Sequence, residues 1–397
     1  MTRRPILSIA FRCAGFLVPA AVLACQDGGS PTGIVVVPPG PTAGYVTLAL
    51  GIQHTCGTRP EGTFCWGRNT FGQLGNGTTA SSPQPVRIGQ GEIVFDSLSL
   101  GNSHTCGLTG SGATWCWGRG DFGQLGIGVA AHRTLPAQVF LAGAELLLRS
   151  VDAGGSFTCG IDRSGAAWCW GVNTSGQLGD GTRTSSLAPV RVEGSADLVA
   201  IATGAGHACA IGVRREARCW GLNDHGQLGE GTTENRSSPV MVQGGVQFVA
   251  IGAGAGHTCG LSADGAVWCW GEGIVGQLGG GAPVPNRTMP VRVTAPVLFV
   301  QLGVGAGHTC ALGVNGRAYC WGWNIDGQIG DGTAAVNKFV PVAVGEVGQF
   351  VRIAVGQAAS CGIQSDGRAW CWGRNSDGEL GVGDTASHLV PAPVREP

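Results

Sequence analysis

The sequence has few charged residues and a net charge close to zero, which limits the classes of molecule that it can bind. Charged residues make up 12% of the 397 residues, and the formal net charge is −1. Because there is no basic excess to neutralise phosphates, we expect no binding to nucleic acid. The sequence also lacks a nucleophile motif, a Cys-x-x-Cys spacing and any cluster of His, Asp and Glu outside its repeated pattern. We therefore predict no catalytic residues, no metal and no cofactor.

Long apolar runs are missing too, apart from a short one near the start of the chain. Arg3, Arg4 and Arg12 supply positive charge ahead of Cys13–Ala24, an apolar stretch of twelve residues. That stretch is too short to span a bilayer as a mature anchor, and the pattern is typical of an export signal. We predict that residues 1–24 are a signal peptide.

Cys25 directly follows the predicted signal, and from it we predict how the protein is anchored. The segment Val-Leu-Ala-Cys resembles the bacterial lipobox, although cleavage after Ala24 by ordinary signal peptidase is the alternative. Of the 16 cysteines, one lies in the signal and fourteen fall into repeat pairs, so Cys25 is left alone in the mature chain. A lipid on Cys25 explains this residue. We predict an extracytoplasmic, membrane-anchored bacterial lipoprotein, or otherwise a secreted protein, with residues 25–44 as a Gly- and Pro-rich tether.

What the sequence has in abundance is glycine, 72 copies, arranged in a repeat. The pattern Gly-x-x-His-Thr-Cys-Gly-Leu, a turn, Trp-Cys-Trp-Gly-x-Asn-x-x-Gly-Gln-Leu-Gly-Asp-Gly-Thr and Pro-x-x-Val recurs seven times, about every 51 residues. Its first cysteines lie 50 to 53 residues apart, at Cys56, Cys106, Cys159, Cys209, Cys259, Cys310 and Cys361. A period of this kind indicates a repeat architecture in which each unit packs against its neighbours.

Each repeat contains four short apolar or alternating runs, which predict four strands. In one repeat these runs are Pro239–Val242, Gln247–Gly252, His257–Leu261 and Ala266–Trp270, and Asp264-Gly265 is a hairpin signal between the last two. Four strands in seven units predict an all-β fold, a seven-bladed β-propeller of four-stranded antiparallel blades over residues 45–397. A straight β-solenoid is the alternative fold. We expect the strands at the two ends of the propeller to complete one blade together.

A second cysteine follows the first by nine or ten residues in every repeat. Because the two cysteines bracket one tight turn, they should face each other across a hairpin, at a distance that a disulfide tolerates. An export signal places these thiols in an oxidising compartment. The predicted disulfides join Cys56 with Cys65, Cys106 with Cys116, Cys159 with Cys169, Cys209 with Cys219, Cys259 with Cys269, Cys310 with Cys320, and Cys361 with Cys371.

The recurring histidines and tryptophans can be interpreted either as structural groups or as ligands of a metal or another molecule. A blade with His257, Cys259 and Cys269 offers metal ligands, but two repeats have Phe157 and Ala359 at the histidine position. We therefore interpret the histidines as structural hydrogen-bonding groups. Strand alternation puts both tryptophans of Trp-Cys-Trp on the face opposite the cysteine, where we expect them to pack against the next blade as core.

The repeat resembles that of the regulator of chromosome condensation family over residues 45–397. The resemblance lies in Gly256-His257, Trp270-Gly271, Gly276-Gln277-Leu278-Gly279 and the Pro-x-x-Val ending. It implies a seven-bladed propeller in which the Gly-Gln-Leu-Gly segment shapes the turns between strands. The eukaryotic namesake is an exchange factor for a nuclear GTPase and uses an inserted wedge. No repeat here departs by more than three residues from the period, so that activity is the least favoured alternative.

The sequence is also similar to an exported bacterial propeller of this family that inhibits β-lactamases. The resemblance implies a rigid disc that presents variable loops to a protein, and it transfers no inhibitory residue. The positions that break the repeat pattern are therefore our candidates for a binding face. They are Arg68, Arg119, His132, Arg133, Arg236, Trp323 and Arg374.

We predict a non-enzymatic, extracytoplasmic scaffold that binds an unidentified protein or glycan at the cell surface. A carbohydrate-active enzyme that uses one propeller face is the first alternative, and a structural surface protein without a discrete ligand is the second. Fold alone does not decide among these functions, because similar propellers serve many of them.

Overall fold

The computed structural model describes residues 44–89 and 93–397, and these residues form the predicted propeller. The predicted signal, Cys25 and the tether up to residue 43 lie outside the described residues. Seven four-stranded sheets follow one another along the chain, each with its strands in sequence order and antiparallel. We number them blades 1 to 7. The fold class predicted from the repeat is confirmed, and the solenoid is excluded.

The strands occupy equivalent positions in every blade. The first strands are Thr47–Leu50, Ser97–Leu100, Leu148–Ala153, Leu198–Thr203, Phe248–Ala253, Phe299–Val304 and Phe350–Val355. The second strands are His54–Arg59, His104–Leu108, Phe157–Asp162, His207–Gly212, His257–Ser262, His308–Gly313 and Ala359–Gln364. The third strands are Gly62–Gly67, Thr114–Gly118, Ala167–Gly171, Ala217–Gly221, Val267–Gly271, Ala318–Gly322 and Ala369–Gly373. The fourth strands are Ser82–Arg87, Arg133–Gln138, Ser186–Arg191, Arg236–Met241, Arg287–Arg292, Lys338–Ala343 and His388–Pro393.

The first strands are innermost and surround a central cavity of about 380 Å³. The fourth strands are outermost, and each carries a proline that removes a backbone donor from the exposed sheet edge, which blocks pairing with another chain. These prolines are Pro85, Pro136, Pro189, Pro239, Pro290, Pro341 and Pro391. A small extra hairpin, Phe140–Leu141 with Ala144–Glu145, accounts for the longest repeat. Among the described residues there is no helix long and apolar enough to cross a membrane.

The two faces of the disc carry different connections. Because consecutive strands are antiparallel, the turns between first and second strands lie at the same end of a blade as the loops between third and fourth strands. A hydrogen bond from the amide of Arg68 to the carbonyl of Gln53 joins two such connections in blade 1. We call this side the loop face. The second-to-third turns and the linkers between blades form the opposite face.

The ring closes differently from our expectation that the terminal strands share one blade. Blade 1 and blade 7 are each built from one continuous segment, so the prediction of a shared blade is wrong. Instead, side chains and backbone groups join the two blades: Tyr45 donates its amide to the carbonyl of Gly367, and the Trp66 indole donates to the carbonyl of Glu379. Arg59 also pairs with Glu396. Packing between complete blades therefore replaces strand exchange.

The tryptophan that directly follows the second cysteine of each blade is fully buried. It binds the preceding blade, rather than the next blade that we expected. In every blade its indole N–H donates to the backbone carbonyl of the Gly-Gln-Leu-Gly loop of the preceding blade, at 2.9–3.0 Å. The glutamine side chain orders that loop by accepting the amide two residues earlier, as in Phe71 to Gln73. The implied role of this segment in shaping turns is thus visible in its hydrogen bonds.

The recurring histidines provide a second connection between blades, and this one joins their blade to the next rather than to the preceding blade. The Nε2 of each recurring histidine lies 2.8–2.9 Å from a hydroxyl of the next blade. Because each hydroxyl already donates to a glutamine carbonyl, Nε2 must carry the proton. Nδ1 has no partner and burial lowers the pKa of these histidines, to about 4 for His207 and about 3 for the others. The pairs are His54–Thr105, His104–Thr158, His207–Thr258, His257–Thr309 and His308–Ser360.

The junction after Phe157 also lacks the partner hydroxyl, whereas the junction after Ala359 keeps it. Phe157 of blade 3 is followed in blade 4 by Ala208, so the hydroxyl that a histidine would need is absent as well. Ala359 of blade 7 precedes Thr55 of blade 1, whose hydroxyl donates to the carbonyl of Glu379. The histidine connections therefore join blades 1 to 3 and blades 4 to 7 as two arcs.

A ring of glycines surrounds one end of the cavity and explains how closely the blades approach. A Cβ added to each would lie 2.2–2.6 Å from the carbonyl oxygen of the equivalent glycine in the next blade. Only glycine avoids this overlap, because it has no Cβ. The ring consists of Gly51, Gly101, Gly154, Gly204, Gly254, Gly305 and Gly356.

The fourteen cysteines form the seven disulfides that their spacing predicts, each within one blade. Paired Cα atoms are 4.0–4.1 Å apart, directly opposite each other on the second and third strands. All fourteen side chains are buried. Each bridge closes a hairpin and stabilises the fold by about 2–3 kcal/mol in the chain-entropy account.

Candidate binding face

The residue two positions after the buried tryptophan begins the third-to-fourth loop of every blade and differs in chemistry from blade to blade. All seven side chains are half-buried, and all seven lie on the loop face beside the first-to-second turns. We call this set the variable ring. It consists of Arg68, Arg119, Val172, Leu222, Glu272, Trp323 and Arg374.

Three arginines of the variable ring occupy consecutive blades and form the arginine sector. Arg374, Arg68 and Arg119 belong to blades 7, 1 and 2. Each guanidinium already has partners in its own surroundings: Arg68 donates to Gln53 at 2.6 Å and to Thr70 at 3.2 Å. The structure thus brings three of the sequence-predicted arginines to one side of the loop face, with their donors partly engaged.

Arg119 is engaged more strongly than Arg68. Arg119 holds both carboxylate oxygens of Asp121, at 2.8 and 2.9 Å. Its guanidinium also lies 5.1 Å from the ring centroid of Phe71 in blade 1 and 4.7 Å from that of Phe122. His132 packs edge-on against Phe71 with a centroid distance of 5.0 Å, so the predicted residues Arg119 and His132 of blade 2 both contact Phe71 of blade 1.

Two other predicted residues lie further out, at the start of fourth strands. Arg133 of blade 2 donates to the carbonyl of His132. Arg236 of blade 4 is held between the carboxylates of Glu230 and Glu234, each at 3.3 Å. Its charge is therefore largely neutralised, and the structure does not bring it into contact with the arginine sector.

Opposite the arginine sector the loop face is built from small residues. In blades 4, 5 and 6 the first-to-second turn is Gly-Ala-Gly each time, at residues 204–206, 254–256 and 305–307. The variable-ring side chains lie over this bare backbone: a Cβ added to Gly307 would be 3.3 Å from the Trp323 side chain. We call these turns, together with Leu222, Glu272 and Trp323, the smooth sector.

Glu272 and Leu222 are residues of this face that our list of candidates missed. Each occupies the position equivalent to Arg68 and Trp323, so the register of the repeat was the signal that could have found them. The three identical Gly-Ala-Gly turns are a second signal, because the other four blades have Ile52-Gln53, Asn102-Ser103, Gly155-Ser156 and Gln357-Ala358 there.

Among the described residues, Asp152 supplies the one carboxylate that lines the central cavity. It accepts from the Ser99 hydroxyl of blade 2 at 2.8 Å and from the Thr203 amide and hydroxyl of blade 4 at 2.6 and 2.8 Å. Burial raises the pKa of this carboxyl, and the hydrogen bonds oppose that effect. Asp152 thus ties three blades together. In the part of the chain that the structure describes, no group of three or more His, Cys, Asp or Glu side chains could hold a metal ion.

A second buried carboxylate lies in the arginine sector, where six blades have glutamine and blade 7 has Glu379. One carboxylate oxygen accepts the amide of Asp377 at 2.8 Å. The other has no hydrogen bond, and the nearest guanidinium nitrogen, Nε of Arg374, is 3.7 Å away. Burial raises the pKa of Glu379.

With this geometry established, comparison with known proteins identifies the family. The ultraviolet-B receptor UVR8 of Arabidopsis thaliana is 29% identical over 358 residues, which are 87% of this chain and 69% of that protein. The E3 ubiquitin-protein ligase HERC2 of Mus musculus is 31% identical over 166 residues, which are 40% of this chain and 3% of HERC2. Yeast RCC1 (Prp20), solved bound to Kap60, shares the fold with a TM-score of 0.75 at 20% identity, covering 96% of this chain and 91% of the yeast chain.

The family model of the regulator of chromosome condensation (RCC1) repeat matches most of the chain. Six of the seven matches run from the third strand of one blade to the second strand of the next, and the last ends after the fourth strand of blade 7, so sequence repeats and blades are offset by half a blade. The matches cover residues 62–108, 111–161, 164–211, 219–261, 264–312, 315–363 and 366–397. The chain belongs to the RCC1 repeat family.

Proposed function

We propose that this propeller is a non-enzymatic binding scaffold that works outside the cytoplasm and presents its loop face to a protein partner. The observation that carries the proposal is the variable ring: seven structurally equivalent positions on one rigid frame hold cationic, apolar, acidic and aromatic side chains. Chemical variation at fixed geometry is what recognition of one partner requires. Yeast RCC1 (Prp20), which shares this fold, was solved with a protein, Kap60, bound to it, which supports a protein as the class of partner.

A catalytic role has less support from the described residues. The single carboxylate of the central cavity, Asp152, is engaged by Ser99 and Thr203. Glu379 has one carboxylate oxygen without a hydrogen bond, but it is buried beneath the surface and has no histidine or hydroxyl partner. A general acid or base must exchange a proton with the substrate, but Asp152 already accepts three hydrogen bonds and Glu379 is buried.

The face can be tested with a photo-crosslinking phenylalanine analogue introduced at single sites in the native host. Leu222 and Ile325 report the loop face, while Val213 and Val314, each 60% exposed, lie on second-to-third turns of the opposite face and serve as controls. We expect the same crosslinked protein from both loop-face sites and none from the controls. Crosslinks from the controls alone would overturn the assignment of the face. Retention on a glycan array without any protein crosslink would favour the glycan alternative.

The location of the protein belongs to the same proposal. Seven disulfides within buried hairpins are consistent with folding in an oxidising, extracytoplasmic compartment. We propose that residues 1–24 are removed on export and that Cys25 carries a lipid that anchors the protein to a bacterial membrane. Intact mass of the protein from its own host, before and after reduction and alkylation, tests this proposal. Acyl mass on Cys25, with fourteen thiols that react only after reduction, is the expected result. A retained Met1 would contradict it.

A further inference from the structure

The floor of the smooth sector consists of small residues. Each of its three turns presents an alanine between two glycines, and Ala205 in blade 4 is exposed. Leu222, Glu272 and Trp323 stand at the outer edge of this floor, one in each blade. Ala255 and Ala306 are half-buried and five of the six glycines are buried, so the three alanines are the part of the floor that another chain can contact, and their small side chains let it approach closely. The sector therefore has the shape of a shallow shelf with three side chains along its border.

Apolar side chains flank this shelf on the third-to-fourth loops of blades 5 and 6. Ile274 is 66% exposed and Ile325 is 54% exposed, and Trp323 lies half-buried in the same loop as Ile325. Trp323 is also the one tryptophan of the chain outside the two positions of the Trp-Cys-Trp motif. Exposed aliphatic side chains beside a tryptophan are the usual anchor of a protein interface.

The charges of the smooth sector are acidic and lack intramolecular cations. Among the described residues, no ion pair involves Glu272 or Asp326, and Asp224 forms none with a lysine or arginine: it lies 3.9 Å from His225 and accepts a hydrogen bond from the side-chain amide of Gln227 at 3.1 Å. His225 and Glu272 flank the same glycine: a Cβ added to Gly256 would lie 2.8 Å from a Glu272 oxygen and 3.1 Å from the His225 ring. Three carboxylates without a lysine or arginine partner attract positive charge.

The nearby cations do not offset these carboxylates. Lys338 pairs with Asp331 at 2.7 Å, and Arg236 is held by two glutamates, so both charges are already used. Arg287, at the outer end of blade 5, is the remaining cation of these loops that forms no ion pair among the described residues. The arginine sector differs, because Arg119 is paired with Asp121 and Arg374 lies near Glu379.

We propose that the smooth sector binds a protein segment in which a lysine or arginine stands close to an aromatic or aliphatic side chain. The cation pairs with Glu272, the apolar side chain packs on Trp323 and Ile325, and the segment's backbone crosses the Gly-Ala-Gly floor. This inference rests on the proposed function and adds to it the part of the loop face that is used and the chemistry of the partner.

Selection of random displayed peptides on the full-length chain tests the inference with a defined probe. We expect the enriched peptides to carry Lys or Arg within a few residues of Trp, Phe or Leu. Binding of a synthetic peptide from this pool should weaken at least about tenfold in Glu272→Lys and in Trp323→Ala. Glu272→Gln separates charge from shape and should weaken binding as well, by a smaller factor. Val213→Asp and Val314→Asp, on the opposite face, are the controls and should leave affinity within about twofold, while Arg68→Ala and Arg374→Ala report the arginine sector.

The outcomes distinguish this inference from the proposed function. Enriched acidic peptides whose binding is lost in Arg68→Ala and Arg374→Ala would overturn the inference and leave the loop face as the binding face. Peptides that bind equally to all five loop-face variants and are lost when Val213 and Val314 are changed to Asp would overturn both. A selection without enrichment of basic and apolar peptides also overturns the inference. Circular dichroism and thermal unfolding of each variant establish that altered binding does not come from unfolding.

Discussion

The arginine sector and the smooth sector share one backbone frame but differ in how their charges are satisfied. In the arginine sector, Arg119 holds both oxygens of Asp121, and Arg68 donates to Gln53 and Thr70. In the smooth sector, Glu272 makes no ion pair among the described residues and stands over glycine. The comparison teaches that a charged side chain on a variable loop is not automatically free to bind. Glu272 is therefore more available for a new ion pair than the three arginines of the arginine sector.

The largest expected effect is a loss of stability in variants of the glycine ring. Comparing blade 1 with blade 4 tests whether both sectors depend on this ring. Gly51→Ala in blade 1 and Gly204→Ala in blade 4 place a Cβ 2.6 and 2.2 Å from a carbonyl oxygen of the next blade. Each should lower the free energy of unfolding by about 2–3 kcal/mol or more, because the blades must move apart. Gly280→Ala is the control, since nothing lies within 4 Å of its added Cβ. Urea unfolding measures the differences. A Gly204→Ala protein as stable as the control would show that the sectors are supported differently.

The second prediction concerns acid, and it compares blade junctions with and without a histidine. Burial lowers the pKa of His257 to about 3, below the ordinary value of 6.5. Between these values the unfolded chain binds more protons, so stability falls as pH falls, by about 1.4 kcal/mol per pH unit for each such histidine. The double variant His257→Phe with Thr309→Ala reproduces the junction of Phe157 and Ala208. It should remove the contribution of one histidine from the pH dependence of the free energy of unfolding.

Thermal unfolding between pH 7 and pH 3.5 measures the slope. His257→Phe alone is the matched comparison, because it leaves the Thr309 hydroxyl without its histidine. An unchanged slope in the double variant would show that His257 does not contribute to acid sensitivity.

The third prediction sharpens the contrast at Glu379, where the arginine sector has a carboxylate in place of glutamine. Burial raises its pKa, so the folded protein binds more protons than the unfolded chain at pH values above the ordinary carboxyl range. Glu379→Gln should therefore stabilise the protein at pH 7, by about 1 kcal/mol, and the gain should vanish in acid, where the carboxyl is protonated in both states. Gln328→Glu in blade 6 is the reverse exchange and should destabilise at pH 7. Chemical unfolding at two pH values decides the sign.

The smallest effect tests the central comparison directly. Arg119→Ala removes the paired contact with Asp121 and the contacts with Phe71 and Phe122, so we expect a loss of about 0.5–1 kcal/mol in stability. Glu272→Ala removes a carboxylate without an ion partner, so stability should stay within about 0.5 kcal/mol. Equal losses in the two variants would mean that Glu272 has a partner that its surroundings do not reveal.

Particular residues show why the fold was accessible from the sequence while parts of the site were not. Cys259 and Cys269 bracket one turn, so strand pairing alone determines that they face each other, and their opposition follows from local spacing. Trp270 was correctly expected in the core, but its partner is the Gln227 carbonyl of the preceding blade, not the next one. Which neighbour a ring meets depends on the handedness of stacking between blades, and no periodicity within one repeat contains that information.

The candidate site shows the same division. Arg68, Arg119, Trp323 and Arg374 were found as breaks in the repeat pattern, and the structure places all of them on the loop face. Arg236 was found by the same rule, yet two glutamates neutralise it. Glu272 was passed over although it holds the equivalent position. Sequence variation identifies positions that differ, but the partners of a charge come from adjacent loops and blades, which lie far apart along the chain.

The sequence by itself determined the number of blades, four strands in each, the disulfide in every hairpin and the family, because all of these depend on contacts within a span of about 51 residues repeated seven times. Only the tertiary structure decided how the ring closes, why its glycines are required and which charges on the loop face are already paired. The physical reason is that these properties arise between blades, where a side chain or carbonyl meets a group about fifty residues away or at the other end of the chain.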